Sequence, residues 1–217
     1  FRGHRSPEAT MKTGNSSKRS TGLAAICAED GTGTLFNIAR ATNAWWANQY
    51  LDTNDTALEG TTSAQPAPVV HNQLRDMEKL RKQCGRLANG SGKQRYPDLI
   101  LCTEDYETFY KLSGSATGVR YVNPKALDMG FDNVKWNSTT IIPDVDCPYD
   151  AGGDDKAFFL NSDYLLLEYS PSLNFKMGDM IEGAEQLALS GHLYWAGELT
   201  CTHCALQGIH LGITGLV

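Results

Sequence analysis

Cys201-Thr202-His203-Cys204 is the segment whose residue types and spacing come nearest to chemistry. Two thiols three positions apart, with a histidine between them, are the donors of a zinc site or the halves of a disulfide-forming dithiol. A structural zinc site takes four ligands, and no second Cys-x-x-Cys or His-x-His cluster supplies the other half. A redox dithiol ordinarily opens a helix after a strand, whereas the alternation around Leu187, Leu193, Trp195 and Leu199 reads as β. In an extended strand, positions three apart point to opposite faces, which would separate Cys201 from Cys204. Cys201, His203 and Cys204 therefore stand as metal-ligand candidates, with structural thiols as the expected role and neither metal nor cofactor expected.

Other candidate groups are poorer. Asp144, Asp146, Asp150, Asp154 and Asp155 lack the sixth-position glycine and closing glutamate of a calcium loop, so a solvated acidic loop is expected. The histidines (His4, His71, His192, His203, His210) are dispersed, and no Gly-x-Ser-x-Gly motif accompanies them. Gly114-Ser115-Ala116-Thr117-Gly118 lacks the Lys-Ser/Thr of a phosphate-binding loop and reads as a turn. Without a catalytic constellation, the expectation is a structural or binding protein and not an enzyme. Trp45 and Trp46 are candidates for an interface anchor, with core packing as the competing role.

The 217 residues suffice for one sizeable core or two subdomains sharing a sheet. A formal net charge of -6 opposes dense phosphate contacts, which need basic patches. Residues 1–20 are the exception, with Arg2, Arg5, Lys12, Lys18 and Arg19 against Glu8; a solvated end is expected there. No apolar run reaches the roughly 18 residues of a membrane span, and no apolar signal region is evident. The six cysteines are too scattered for a disulfide scaffold, so reduced thiols are expected. The chain starts at Phe1, which reads as cutting by maturation or truncation.

Several elements are legible. Val70, Leu74, Met77, Leu80, Cys84 and Leu87 form a stripe at helical spacing, and Asn89-Gly90 should stop that helix. Pro97-Asp98-Leu99-Ile100-Leu101-Cys102 reads as a buried strand, and Thr103 as the cap of a helix from Glu104 to about Leu112. Strands are predicted at Val134–Trp136, Thr139–Ile142, Ala157–Leu160 and Tyr164–Tyr169, and the tail 186–217 is predicted to be largely β. Residues 21–50 read as strand and loop, and 51–68 as a connection. The fold class is α+β.

As an ordered series, these segments resemble a known family. Gly22-Leu23-Ala24-Ala25-Ile26, Trp45-Trp46-Ala47-Asn48, the helix around Leu74 to Leu87, Pro97 to Thr103, and Phe158-Phe159-Leu160-Asn161-Ser162-Asp163-Tyr164-Leu165 are similar to the major capsid proteins of tailed bacteriophages with the HK97-like fold. Gly191-His192-Leu193-Tyr194-Trp195, Gly197-Glu198-Leu199-Thr200 and Gln207-Gly208-Ile209 continue the resemblance as closing strands. It covers roughly residues 20–217 and lacks the family's N-terminal arm, extended loop and most of its spine helix.

The resemblance implies a basic remnant over 1–20, a peripheral-domain part and connection over 21–65, an axial domain over 66–160, and peripheral strands with the C-terminus over 161–217. It implies a shell subunit of an icosahedral phage head, assembled in hexamers and pentamers around double-stranded DNA. Partners would be copies of the chain, with scaffolding, portal or decoration proteins; packaged DNA would be an indirect partner, and no membrane is involved. Localisation would be the virion, and the host cytoplasm during assembly. Trp45, Trp46, Tyr106 and Phe109 are the interface candidates. Covalent cross-linking does not carry over to Asn161 or Asn174. The alternatives are a zinc- or thiol-dependent enzyme centred on Cys201 and Cys204, and a capsid decoration protein.

Overall fold

Ala157-Phe158-Phe159-Leu160 has no polar face to turn to water, and the chain buries it on both sides at the heart of a mixed sheet. The structure, a computed structural model, describes residues 21–53, 69–86, 96–116, 134–149, 151, 153–182 and 189–213. The basic segment 1–20, the connection 54–68, Asn89-Gly90 and Asp150 lie outside the described residues.

In chain order the elements are α1 (Leu23–Ile26), β1 (Thr34–Leu35), β2 (Ile38–Ala39), a 3-10 turn (Ala44–Trp46), β3 (Gln49–Asp52), α2 (Val69–Gly85), β4 (Leu99–Cys102), α3 (Glu104–Ala116), β5 (Val134–Trp136), β6 (Thr139–Pro143) and β7 (Asp155–Leu160). There follow β8 (Leu165–Tyr169), β9 (Lys176–Met177), β10 (Ile181–Glu182), β11 (Leu189–Ser190), β12 (Leu193–Tyr194), β13 (Gly197–Cys201), a 3-10 turn (Cys204–Leu206) and β14 (Gly208–Ile213). A six-stranded sheet runs in the order β3-β14-β7-β4-β6-β5. Within it β14 is parallel to β3 and β4 is parallel to β6, and the other neighbours are antiparallel.

Strand alternation sends side chains to two cores. On one face Ile100, Cys102, Ala157 and Phe159 meet Met77, Leu80 and Cys84 of α2 and Tyr106, Phe109 and Tyr110 of α3. On the other, Phe158, Leu160, Ile209 and Leu211 meet Leu23, Ile26, Leu35 and Trp46. The α2 stripe of the sequence is therefore the face that packs on the sheet. At Gly208 the helix approaches so closely that a Cβ would lie 2.8 Å from the Cys84 sulfur.

Several local expectations change. The helix expected to end at about Leu112 runs on to Ala116, through part of the segment read as a turn. Residues 21–50 contain a helix, α1, where strand and loop were expected; its last carbonyls are held by the buried guanidinium of Arg40, whose Nη2 donates to Ala25 O and Ile26 O, both at 2.7 Å. The Thr103 hydroxyl is buried and caps nothing among the described residues, although its carbonyl accepts from Glu107 N at 3.4 Å. The predicted strand Tyr164–Tyr169 does not join the sheet beside Ala157–Leu160: a turn over Ser162–Tyr164 leads β8 away to pair with β13. Asn161 and Gln207 hold this corner: Asn161 N donates to Gln207 Oε1 at 2.7 Å, and Gln207 Nε2 donates to Asn161 O at 3.2 Å.

Beyond that corner the chain runs outward and returns as nested antiparallel pairs, β8 with β13, β9 with β12 and β10 with β11. These three nested two-stranded pairs are called the ribbon below.

Candidate assembly surface

Two-stranded ribbons are marginal in water without a partner layer, so their side chains reveal what such a layer would be. Register places Leu165, Leu167 and Tyr169 of β8 on one face with Gly197, Leu199 and Cys201 of β13. The inner end of this face, Leu165, Leu199 and Cys201, packs into the body's second core. The outer end does not: Leu167 is 62% exposed and Tyr169 55%. Farther out, Phe175, Met177, Leu193 and Tyr194 are also exposed, with Leu193 directly opposite Met177. Leu193 and Met177 share one face, and Tyr194, the next residue, turns to the other. Exposed large apolar side chains concentrated in one region mark contact surfaces. On the opposite face Glu168 lies across from Glu198, whose Oε1 accepts from Thr21 N at 2.6 Å.

Of the interface candidates, Trp45 is exposed, at 58%, and packs edge-on against Trp46. Trp46 is buried in the second core, and Tyr106 and Phe109 are buried in the first. The apolar strip of the ribbon was not legible as a surface. Its strands of two residues are too short to show alternation, and exposure of Met177 or Leu193 depends on what else packs there.

The Cys201–Cys204 segment departs from the extended-strand expectation. β13 ends at Cys201, the chain turns through Thr202 and His203, and Cys204 opens a 3-10 turn. Both thiols consequently enter the same core. The neighbouring Cys204 draws the Cys201 thiol below its ordinary pKa against the effect of burial, and Cys201 joins burial in raising Cys204. Burial alone lowers the His203 pKa; its ring stands edge-on to Tyr164, and its Nδ1 has no hydrogen-bond partner. Among the described residues, no group of three or more His, Cys, Asp or Glu side chains is arranged to hold a metal ion.

The fully buried His210 joins three elements: Tyr106 Oη lies 2.7 Å from its Nδ1, and Thr53 Oγ1 2.8 Å from its Nε2. Burial depresses its pKa to about 3, so the ring is neutral. With both nitrogens occupied and no access to solvent, this chain of groups secures the core. Of the acidic cluster, Asp155 is buried, and the Asp144 carboxylate caps its own turn by accepting from Asp146 N at 3.0 Å. No described helix is long and apolar enough to cross a membrane.

No family model matches the sequence, and no curated protein matches it. Solved structures do. The capsid asymmetric unit of cyanophage A-1(L) superimposes with a TM-score of 0.57 at 18% identity, over 95% of this chain and 63% of that one. The holo-SrpI encapsulin complex from Synechococcus elongatus PCC 7942 gives a TM-score of 0.51 at 16% identity, over 88% of this chain and 60% of that one. The chain thus spans less than two thirds of either neighbour's length. The mixed sheet with its two packed helices is the arrangement these neighbours share with it, and the chain has the HK97-like capsid fold.

Proposed function

We propose that this chain is a structural subunit of a closed protein shell, built from copies of itself grouped as hexamers and pentamers in the head of a phage that encloses double-stranded DNA. The observation carrying this reading is the fold match to a cyanophage capsid over 95% of the chain. The exposed apolar strip of the ribbon supports it, because repeated copies supply the layer that such a ribbon lacks. The net charge of -6 supports it too, since an acidic wall does not hold the packaged genome tightly. In this reading residues 66–160 form the axial domain, and residues 21–65 and 161–217, the ribbon among them, belong to the peripheral domain. The chain performs no turnover; its working residues are contact residues, with Leu167, Tyr169 and Trp45 foremost.

The second reading is a shell of the encapsulin type, favoured by the match to the SrpI complex. Electron microscopy of the purified protein tests both. Polyhedral shells built from hexamers and pentamers are the expected result, and a discrete small oligomer overturns the shell reading. Nucleic acid inside the shells, read from the ratio of absorbance at nucleic-acid and protein wavelengths, favours the phage head. Shells holding protein favour the encapsulin type.

A further inference from the structure

β8 and β13 set two acidic side chains directly opposite each other, Glu168 and Glu198, on the face of the ribbon turned away from Leu167 and Leu199. Like charges in that position destabilise an antiparallel pair. Among the described residues no Lys or Arg forms an ion pair with either carboxylate. Glu168 is exposed, and so is Leu166 beside it on that face. Thr21 N donates to Glu198 Oε1 at 2.6 Å, so the described part of the chain begins against this pair. The residues just before Thr21 are basic: Lys18 and Arg19 adjoin it, and Arg2, Arg5 and Lys12 stand further back, against Glu8 alone. We propose that the basic segment 1–20 covers the acidic face of the ribbon in its own chain, with Lys18 and Arg19 paired to Glu168 and Glu198.

Reach and charge both carry this assignment. A chain advances at most about 3.3–3.6 Å per residue, so Arg19 starts within about 7 Å of Thr21 and Lys18 within about 11 Å. Their long side chains span what is left to a carboxylate that already holds Thr21 N. So short a tether gives the pairing an effective concentration that a free partner does not match. Two cations also balance two carboxylates, which removes the like-charge penalty across β8 and β13. Exposed ion pairs are individually weak and are screened by salt, so the segment acts as a strap that ionic strength loosens. The strap supplies a layer to the polar side of the ribbon and leaves Leu167 and Tyr169, on the other side, open for contact. It also ties the ribbon to α1, which follows Thr21 closely and packs into the second core.

The inference rests on the ribbon and not on the shell reading, and its test does not read assembly. The full chain is treated with a water-soluble carbodiimide, which joins an amine to a carboxylate where the two are in contact, and the linked peptides are mapped by mass spectrometry. The expected result is a link from Lys18 to Glu168 or Glu198 in the monomer band of a denaturing gel, about threefold or more stronger at low than at high ionic strength. Glu168→Gln combined with Glu198→Gln should abolish that link and speed tryptic cutting after Arg19 about threefold at equal salt. Lys18 linked to other carboxylates or to none, a link confined to the dimer band, or unchanged cutting in the double variant overturns the proposal. A DNA duplex that protects Arg19 from trypsin while the link is missing assigns the segment to nucleic acid and overturns it too. If the double variant fails to fold, the linked-peptide map of the unmodified protein still decides.

Discussion

Tyr106 Oη lies 2.7 Å from His210 Nδ1, which ties α3 to β14 through the middle of the helix-side core. The ring of His210 also stands edge-on to those of Tyr106 and Phe159, so its position is set by packing as well as by hydrogen bonds. Tyr106→Phe keeps the ring and strands one imidazole nitrogen. The expected loss is about 1–3 kcal/mol in urea unfolding, the penalty for an unpaired buried polar atom.

His210 also makes stability depend on pH. Its pKa is about 3 in the folded protein and about 6.5 in an unfolded chain, so the unfolded state takes up a proton first as pH falls. Its contribution is therefore complete above about pH 6.5 and declines between there and about 3, by about 1.4 kcal/mol per pH unit. Denaturation between pH 6 and pH 4 should be steeper in pH for the wild type than for His210→Gln by that amount. Equal slopes would show that His210 is not buried as a neutral ring.

Gly208 of β14 lies close against α2. A Cβ there meets Cys84 Sγ at 2.8 Å and Leu80 Cδ1 at 3.2 Å. Gly208→Ala should cost about 1–3 kcal/mol by overpacking, measured by thermal or urea unfolding. Cys84→Ala in the same chain should recover part of that loss, because it removes the nearer atom.

Arg40 is buried without a carboxylate partner among the described residues, and backbone carbonyls of Ala25, Ile26 and Thr32 satisfy its charge. Arg40→Met should lower stability by about 2–3 kcal/mol, since these charge-assisted hydrogen bonds vanish. Lysine at this position should recover little, because it lacks the fork that reaches all three carbonyls. Chemical denaturation of the two variants side by side checks this.

Replacing Leu167 and Tyr169 together by aspartate tests the ribbon as a contact surface. Both side chains are exposed, so the unfolding free energy of the isolated chain should change by no more than about 0.5 kcal/mol. Shell formation, followed by sedimentation and electron microscopy, should be lost. Undiminished assembly would remove these residues from the proposed interface.

Much of the body could be read before folding. The stripe Leu74, Met77, Leu80, Cys84 and the run Ala157-Phe158-Phe159-Leu160 specify their elements because hydrophobic periodicity is local information. The hairpin between β5 and β6 turns on Asn137 and Ser138, which both take positive φ. The order of these segments was sufficient to expect the HK97-like fold. What the sequence could not reveal was partnership over distance. Tyr106 meets His210 across 104 positions, and Asn161 meets Gln207 across 46. Whether Cys201 and Cys204 share a face depended on where β13 stops, which the corner held by Asn161 and Gln207 decides. Whether Trp46 or Leu167 is exposed likewise depended on which other segments pack over it. Local pattern determined the elements and their inward faces; the tertiary structure alone decided which buried groups meet and which apolar faces remain uncovered, because burial is a property of the assembled layers and not of any one stretch of chain.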